Sequence, residues 1–253
     1  RSKADLTQNK KPDIGVVADP GKFLRLLAEE WVAGTAEQWA GWTAALQARN
    51  DARDREIQAT AEEATEFLNP VWVAQQLESV IAKESVIIGD GGDFVATASY
   101  VVRPRGPLSW LDPGAFGTLG AGGGFALAAK LCRPTAEVWL LYGDGAAGFS
   151  LAEFDTMARH GIPVIGVIGN DASWAQIARD QVVYMGSSLG TELARTAYHQ
   201  VAEGYGGVGF CVERAEELLP ALEAAKGVGR DGRPALVNIM IGKTEFRKGS
   251  ISM

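Results

Sequence analysis

Cysteine, histidine and long apolar runs are scarce in this sequence, and each shortage excludes a class of protein. The two cysteines, Cys132 and Cys211, stand far apart, which excludes a disulfide framework and a zinc-binding pattern. We interpret both as reduced core residues and therefore expect a reducing, cytoplasmic compartment. No apolar run approaches the roughly 20 residues of a membrane-spanning helix, so we expect no membrane association. The two histidines, His160 and His199, lack a neighbouring pattern of metal ligands.

Positive charge is also in short supply. Lys and Arg together number 24 against 31 Asp and Glu, which gives a net charge of −7. Such a surface repels nucleic acid, so we expect no nucleic-acid partner, and any anionic ligand needs a local binding site. The composition is otherwise 47% apolar and 22% charged, which is typical of a globular protein with a sizeable core.

Apolar runs alternate along the chain with segments of helical periodicity. Strands are predicted at 13–18, 85–89, 136–142, 163–168, 208–212 and 235–241. Helices are predicted at 22–33, 36–64, 119–132, 150–160, 190–204 and 214–226. Two further helices are predicted, one that begins at Pro70 and one that follows the glycine turn 89–93 and ends at about residue 101. Uninterrupted apolar strands between helices predict an α/β fold, in which a parallel sheet carries helices on both faces. We expect a main domain over residues 67–253, preceded in residues 1–66 by the largely helical tail of another domain and a connector.

Two polar residues follow neighbouring strands of the predicted sheet. Asp144 lies in the turn Gly143-Asp144-Gly145 after one strand, and Asn170 ends the next strand along the chain. In a right-handed βαβ unit these strand ends are adjacent, so the two side chains converge. Their oxygens suit Mg²⁺, which prefers to share a phosphate ligand. Gly145, Ala146 and Ala147 lack bulk, and their N–H groups can approach phosphate oxygens, aided by a helix predicted to begin near Ser150.

Ordinary structural roles compete with this interpretation. Gly-Asp-Gly is a common turn, and an Asn after a strand often caps a helix. Either motif alone favours the ordinary role, whereas the pair at this spacing favours a diphosphate site. The glycine-rich segment 117–126 follows a loop rather than a strand, which argues against a dinucleotide fingerprint, and the chain has no Walker lysine.

Longer stretches of the sequence carry a family resemblance. They are LNPV (68–71), residues 87–131 beginning IIGDGGDF, residues 140–182 beginning LLYGDGAAGF, and VNIMIGKTEFRKGSI (237–251). Together they resemble thiamine diphosphate enzymes of the acetolactate synthase-like branch, and within it the 2-hydroxyacyl-CoA lyases. The likeness covers about residues 66–253, the diphosphate-binding domain, while residues 12–65 resemble the end of the central domain. The resemblance implies thiamine diphosphate and Mg²⁺ as cofactors.

Site residues follow from the resemblance position by position. Asp144, Asn170 and the backbone carbonyl of Ala172 correspond to the Mg²⁺ ligands. The diphosphate is expected to contact the segment Gly143 to Ala147 and, from the other side, the turn Gly91-Gly92-Asp93, although an Asp there is unusual beside phosphates.

The remaining implied roles concern the rest of the cofactor and the substrate. The carbonyl of Gly117 accepts a hydrogen bond from the 4′-amino group, and Leu119 props the cofactor in a bent shape. Leu119, Trp174 and Gln176 are the candidate catalytic residues. For Trp174 a buried anchor is an equally good interpretation.

A part of the family's active site has no counterpart in this sequence. Family members activate the cofactor with a Glu in a separate pyrimidine-binding domain. We therefore expect a second polypeptide, or a missing N-terminal part of the same protein, to supply it, in an oligomer of the dimer-of-dimers type. The expected reaction is cleavage or formation of a C–C bond in a 2-hydroxyacyl-CoA. The alternatives are an acetolactate synthase-like or 2-oxo acid decarboxylase subunit, and a non-catalytic cofactor-binding subunit.

Overall fold

Six parallel strands form one sheet. The computed structural model describes residues 3–8, 10–31 and 36–249. The sheet has the order β2-β1-β3-β4-β6-β5. Its strands are β1 (Val86–Gly89), β2 (Trp110–Leu111), β3 (Val138–Gly143), β4 (Ile165–Asn170), β5 (Val208–Val212) and β6 (Ala235–Met240).

The α-helices of the described residues are α1 (Pro20–Glu29), α2 (Ala36–Ala61), α3 (Pro70–Val80), α4 (Asp93–Val101), α5 (Ala121–Cys132), α6 (Asp144–Ser150), α7 (Glu153–His160), α8 (Ala175–Met185), α9 (Tyr198–Gly204) and α10 (Ala215–Arg230). Both faces of the sheet are covered by helices that lie after residue 69, α3, α4 and α10 on one face and α5, α7 and α9 on the other. Two short 3-10 helices, Ala4–Thr7 and Gly114–Phe116, complete the order. Among the described residues, no helix has the length and apolar character needed to cross a bilayer.

Each face of the sheet has its own hydrophobic core, because side chains alternate along a strand. On one face, Trp139 and Leu141 of β3 pack in a cluster with residues of α3, α4 and α10. On the other face, Leu140 and Tyr142 pack in a cluster with residues of α5, α7 and α9. β3, β4 and β6 are buried along their whole length, which explains their uninterrupted apolar sequences. The predicted fold, a parallel sheet with helices on both faces, is confirmed.

Several predicted elements are wrong or displaced. Residues 13–18 form no strand, and Ile14 is 85% exposed. The helix predicted at 190–204 begins only at Tyr198, while α8 was not predicted. β2 lies in a segment predicted to be a loop, and α6 begins at Asp144 instead of near Ser150. Pro70 does begin α3, where Asn69 caps the helix by accepting hydrogen bonds from two backbone N–H groups.

The chain divides into two compact units, Arg1–Asp54 and Arg55–Met253. The second unit contains the sheet. The unit that contains the sheet begins within α2, so its first residue differs from the domain boundary predicted between residues 66 and 67. That domain boundary stays a prediction. Both cysteines are exposed rather than buried in the core, because each lies at an outer position of its element. The cytoplasmic compartment inferred from them also stays a prediction.

Candidate active site

Three turns meet at the carboxyl edge of the sheet. β1 ends at Gly89, β3 at Gly143 and β4 at Asn170. β3 and β4 pair in register, with Gly143 beside Gly169, so Asp144 and Asn170 each follow directly from that pair. The strand order reverses between β1 and β3, since the chain continues outward to β2 on one side and to β4 on the other. In open α/β sheets, ligands bind at such a reversal.

Asp144 is the first residue of α6 and is only 2% exposed. Its carboxylate accepts hydrogen bonds from the backbone N–H of Gly145 at 2.8 Å and of Ser173 at 3.2 Å. Burial raises the pKa of Asp144, and the backbone N–H groups around it oppose that rise. The carboxylate therefore sits in a buried position where a bound cation would stabilise its charge.

Asn170 ends β4 and is fully buried. Its Oδ1 accepts a hydrogen bond from the N–H of Ala172 at 3.3 Å, and its Nδ2 donates to Thr196 O at 3.2 Å and Asn238 Oδ1 at 3.3 Å. Ala172 has a left-handed backbone with φ of 55°, uncommon for a residue with a side chain. Its carbonyl accepts a hydrogen bond from Leu193 N at 2.8 Å, which leaves a second lone pair.

The two glycine turns contact each other directly. The carbonyl of Gly91 accepts a hydrogen bond from Gly143 N at 2.8 Å. Gly92 has φ of 104°, and a Cβ there would lie 3.0 Å from Gly143 Cα, so both backbone conformation and space require glycine. The carboxylate of Asp93 pairs with Arg179 at 2.6 Å. This ion pair explains how an Asp is accommodated beside a candidate phosphate site.

Leu119 and Trp174 border a small cavity of about 90 Å³ at this edge. The predicted site residues that line it are Gly92, Asp93, Leu119, Gly143, Asp144, Gly145, Ala146, Trp174 and Gln176. Gly91, Asn170 and Ala172 are chain neighbours of residues that line the cavity, Gly117 does not line it, and Ala147 packs in the core. The structure therefore brings most of the predicted residues to one place.

A larger cavity of about 480 Å³ adjoins the small one and shares Asp93, Asp171 and Ser173 with it. Arg179 and Lys243 bring positive charge to its lining. Its volume lies in the range of small-molecule sites, which is roughly 300–1,000 Å³.

Two functional candidates were missed by the sequence reasoning, Asp171 and Asp90. Burial raises the pKa of Asp171 to about 7, the Asp144 carboxylate adds to the rise, and Lys243 opposes it. Asp90 accepts hydrogen bonds from Gly120 N at 2.9 Å and Gly122 N at 2.6 Å, and so fixes the segment that carries Leu119. Both residues directly follow a strand, as Asp144 does, and this position in the sequence could have identified them as candidates.

The residues present fit a diphosphate bridged by Mg²⁺. Asp144 and Asn170 offer hard oxygen atoms at adjacent strand ends, and Mg²⁺ needs only one or two such protein ligands when it shares a phosphate. The carboxyl group of Asp171 lies close by, and a bound cation would favour its ionised form. The described residues contain no group of three or more His, Cys, Asp or Glu side chains able to hold a metal. A metal site here therefore depends on an amide, a carbonyl and the diphosphate in addition to Asp144.

The fold and site define a diphosphate-binding α/β domain, and comparisons with known proteins identify its family. Residues 90–239 match the family model described as "Thiamine pyrophosphate enzyme, C-terminal TPP binding domain". The chain therefore belongs to the thiamine diphosphate enzymes, through their C-terminal cofactor-binding domain, and the cofactor pair of this family is thiamine diphosphate with Mg²⁺.

Curated relatives agree with this assignment. The chain is 46% identical over 260 residues to 2-hydroxyacyl-CoA lyase 2 of Danio rerio, covering 100% of this chain and 42% of the relative. The human 2-hydroxyacyl-CoA lyase 2 is 48% identical over 247 residues, which is 96% of this chain and 39% of that protein. A probable acetolactate synthase of Mycobacterium bovis is 41% identical over 174 residues, covering 68% of this chain and 31% of that protein. The chain thus spans about two fifths of the length of the lyases that it matches.

A solved structure shows the same fold. The thiamine diphosphate-dependent 4-hydroxybenzoylformate decarboxylase of Rhodococcus jostii RHA1 superposes with a TM-score of 0.66 at 22% identity. The match covers 72% of this chain and 34% of that enzyme.

Proposed function

We propose that this chain is the diphosphate- and Mg²⁺-binding half of a thiamine diphosphate-dependent lyase that cleaves or forms a C–C bond in a 2-hydroxyacyl-CoA. The observation that carries the proposal is the convergence of Asp144 and Asn170 beside the cavity bordered by Leu119. The identity of 46% to a 2-hydroxyacyl-CoA lyase 2 over the whole chain supports the substrate class.

The residues of this chain act mainly by binding and orienting. Asp144, Asn170 and the carbonyl of Ala172 would hold Mg²⁺. The first turn of α6 would contact the diphosphate on one side, and the turn at Gly91 and Gly92 would contact it on the other.

Other residues shape the cofactor and the pocket. Leu119 would support the bound cofactor, and the carbonyl of Gly117 would accept a hydrogen bond from it. When bound, thiamine diphosphate would supply the nucleophilic carbon needed to cleave or form a C–C bond next to a carbonyl group. Trp174 and Gln176 wall the small cavity, and the acyl substrate occupies the adjoining cavity of about 480 Å³.

A partner completes the site. The chain spans 42% of the Danio rerio relative, so we propose that a second polypeptide, or an N-terminal part of the same protein, brings the pyrimidine-binding domain and its Glu. The active site then lies between subunits of an oligomer of the dimer-of-dimers type. On this proposal the chain alone turns over no substrate.

The experiment measures products. Mass spectrometry of the natively purified protein first identifies the partner, and the complex is then given a 2-hydroxyacyl-CoA with thiamine diphosphate and Mg²⁺. Formyl-CoA together with an aldehyde or ketone supports the lyase. Acetolactate or carbon dioxide from a 2-oxo acid supports the second candidate, which the 41% identity to a probable acetolactate synthase favours. Turnover by the isolated chain refutes the need for a partner, and binding without turnover by the complex indicates a non-catalytic subunit.

A further inference from the structure

A polar side chain interrupts the apolar sequence of β6. Asn238 is fully buried, as are its strand neighbours Val237 and Ile239. A buried amide without partners destabilises a fold by about 1–3 kcal/mol, so its hydrogen bonds matter. In the pairing of β4 with β6, Asn238 lies beside Ile168 and Met240 lies beside Asn170. Asn238 and Asn170 are therefore diagonal neighbours on the same face of the sheet.

A single backbone oxygen orients both amides. The carbonyl of Thr196 accepts hydrogen bonds from Asn170 Nδ2 at 3.2 Å and from Asn238 Nδ2 at 3.1 Å. A carbonyl oxygen only accepts, so each amide must turn its NH₂ group toward Thr196. The oxygen of Asn238 is then free to accept the second hydrogen bond of Asn170 Nδ2, at 3.3 Å. Asn238 Nδ2 also lies 3.5 Å from Nδ1 of His199.

This arrangement fixes which atom Asn170 presents to a metal. With Nδ2 held by Thr196 and Asn238, Oδ1 faces the loop that contains Ala172. Rotating the amide by half a turn would lose three hydrogen bonds, the two that Nδ2 donates and the one that Oδ1 accepts from Ala172 N, and would bring Oδ1 against two acceptor oxygens. It would also replace an oxygen ligand, which Mg²⁺ needs, by an NH₂ group that cannot coordinate it.

We propose that Asn238 is a positioning residue of the metal site, which keeps Oδ1 of Asn170 turned toward Mg²⁺. This inference rests on the proposed function, because it needs the metal at Asp144 and Asn170. The proposed metal site thereby includes a supporting residue, Asn238, that is 68 positions from Asn170 in the sequence. Asn238 does not line the small cavity and is not proposed as a metal ligand.

The first test is Mg²⁺-dependent binding of thiamine diphosphate, measured by isothermal titration on the full chain. Asn238→Leu fills the same space but cannot accept a hydrogen bond, and we expect binding to weaken about 10- to 100-fold, the range for residues that orient metal ligands. Asn238→Asp is buried, and burial favours its protonated form, which keeps an oxygen that accepts from Asn170 and an O–H that donates to Thr196 O; this variant should bind within about threefold of the wild type. Val237→Ala perturbs the same strand on its opposite face and is the control for packing.

The second test separates orientation from packing. In an Asn170→Asp background, the side chain presents an oxygen in either rotation, so Asn238→Leu should weaken metal binding less than about threefold. An equal loss in both backgrounds would overturn the proposal, as would unchanged binding by Asn238→Leu in the wild-type background. If urea titrations show that the Asn238→Leu variant is unfolded, the Asn238→Asp variant decides instead. A loss of cofactor binding in Asn238→Asp as large as the loss in Asp144→Ala would overturn the proposal as well.

These outcomes are distinct from failure of the proposed function. Absence of binding by the wild-type chain even with its partner present, or binding that Asp144→Ala leaves unchanged, would refute the metal site itself. Normal wild-type binding that needs Asp144 but ignores Asn238 would refute only the positioning role.

Discussion

Replacing Asp144 by Ala should abolish the stabilisation of the fold by its cofactor. Asp144 is 2% exposed, and its carboxylate accepts hydrogen bonds from the backbone N–H groups of Gly145 and Ser173. In the absence of ligand, Asp144→Ala has two opposing effects. It removes a buried charge, which stabilises the fold, and it removes two hydrogen bonds, which destabilises the fold. These effects oppose each other, so we expect the ligand-free variant to stay folded.

The magnitude follows from binding linkage. At a ligand concentration of 100 times Kd, the wild-type chain gains about 2.7 kcal/mol in free energy of unfolding. For a domain of this size, each kcal/mol shifts Tm by roughly 2–4 °C, so the wild type should gain about 5–11 °C. Asp144→Ala should shift by less than about 1 °C under the same conditions.

The assay is thermal unfolding with Mg²⁺ and thiamine diphosphate together, each alone, and both with excess chelator. Asp155→Ala is the matched control, because it removes a half-exposed carboxylate from the next helix, where it pairs with Arg159. The control should keep the full shift. A full shift in Asp144→Ala, or a shift in the wild type that survives the chelator, would refute the metal-bridged site.

Three further substitutions test the surroundings of the site. Gly145→Ala places a Cβ 2.6 Å from Trp174 Cζ3, so we expect the free energy of unfolding in urea to fall by about 1–3 kcal/mol. Gly148→Ala is the control in the same helix, because a Cβ there meets nothing within 4 Å. It should leave the free energy of unfolding unchanged or raise it by up to about 1 kcal/mol. Asp90→Asn loses one of two acceptors for buried N–H groups and should cost about 1–3 kcal/mol in the same assay; an unchanged midpoint would contradict its role in fixing the Leu119 segment. Leu119→Ala should lower kcat of the complex at least about tenfold while Mg²⁺-dependent binding is kept; equal loss of binding and turnover would contradict a role in supporting the cofactor's bend.

Much of the sheet was predictable because four of its strands are buried on both faces. β1, β3, β4 and β6 lie within about two residues of their predicted positions, since uninterrupted apolar runs are typical of such strands. β5 also lies where it was predicted, although it is an edge strand and only partly buried. The same signal failed at 13–18, where the apolar side chains are exposed and pair with no strand. An apolar run predicts a strand only if a neighbouring strand is available for pairing, and the run itself gives no information about that neighbour.

α8 escaped prediction for the opposite reason. Its apolar residues Val183, Tyr184 and Met185 are exposed, and none of the residues in the helix is buried. A helix without a buried stripe leaves no periodic pattern in the sequence. β2 is only two residues long and equally leaves no pattern.

The centre of the candidate site was predictable from chain order, but its supporting residues were not. Asp144 and Asn170 converge because each follows a strand and the strands are neighbours. Asp90 acts on backbone groups 30 and 32 residues away, and Asn238 acts on a side chain 68 residues away. Such partners are set by tertiary packing, which local patterns in the sequence do not encode.

The carbonyl of Thr196 gives this site an unusual tolerance to sequence change. Because the anchor for both amides is a main-chain oxygen, every amino acid at position 196 carries the same acceptor, and substitutions there leave the metal ligand's orientation intact as long as the loop keeps its path. What selection must preserve is the length of chain between Asn170 and Thr196. We therefore expect substitutions of residue 196 to leave the orientation of the two amides unchanged, and insertions or deletions in the segment that leads to it to disturb that orientation.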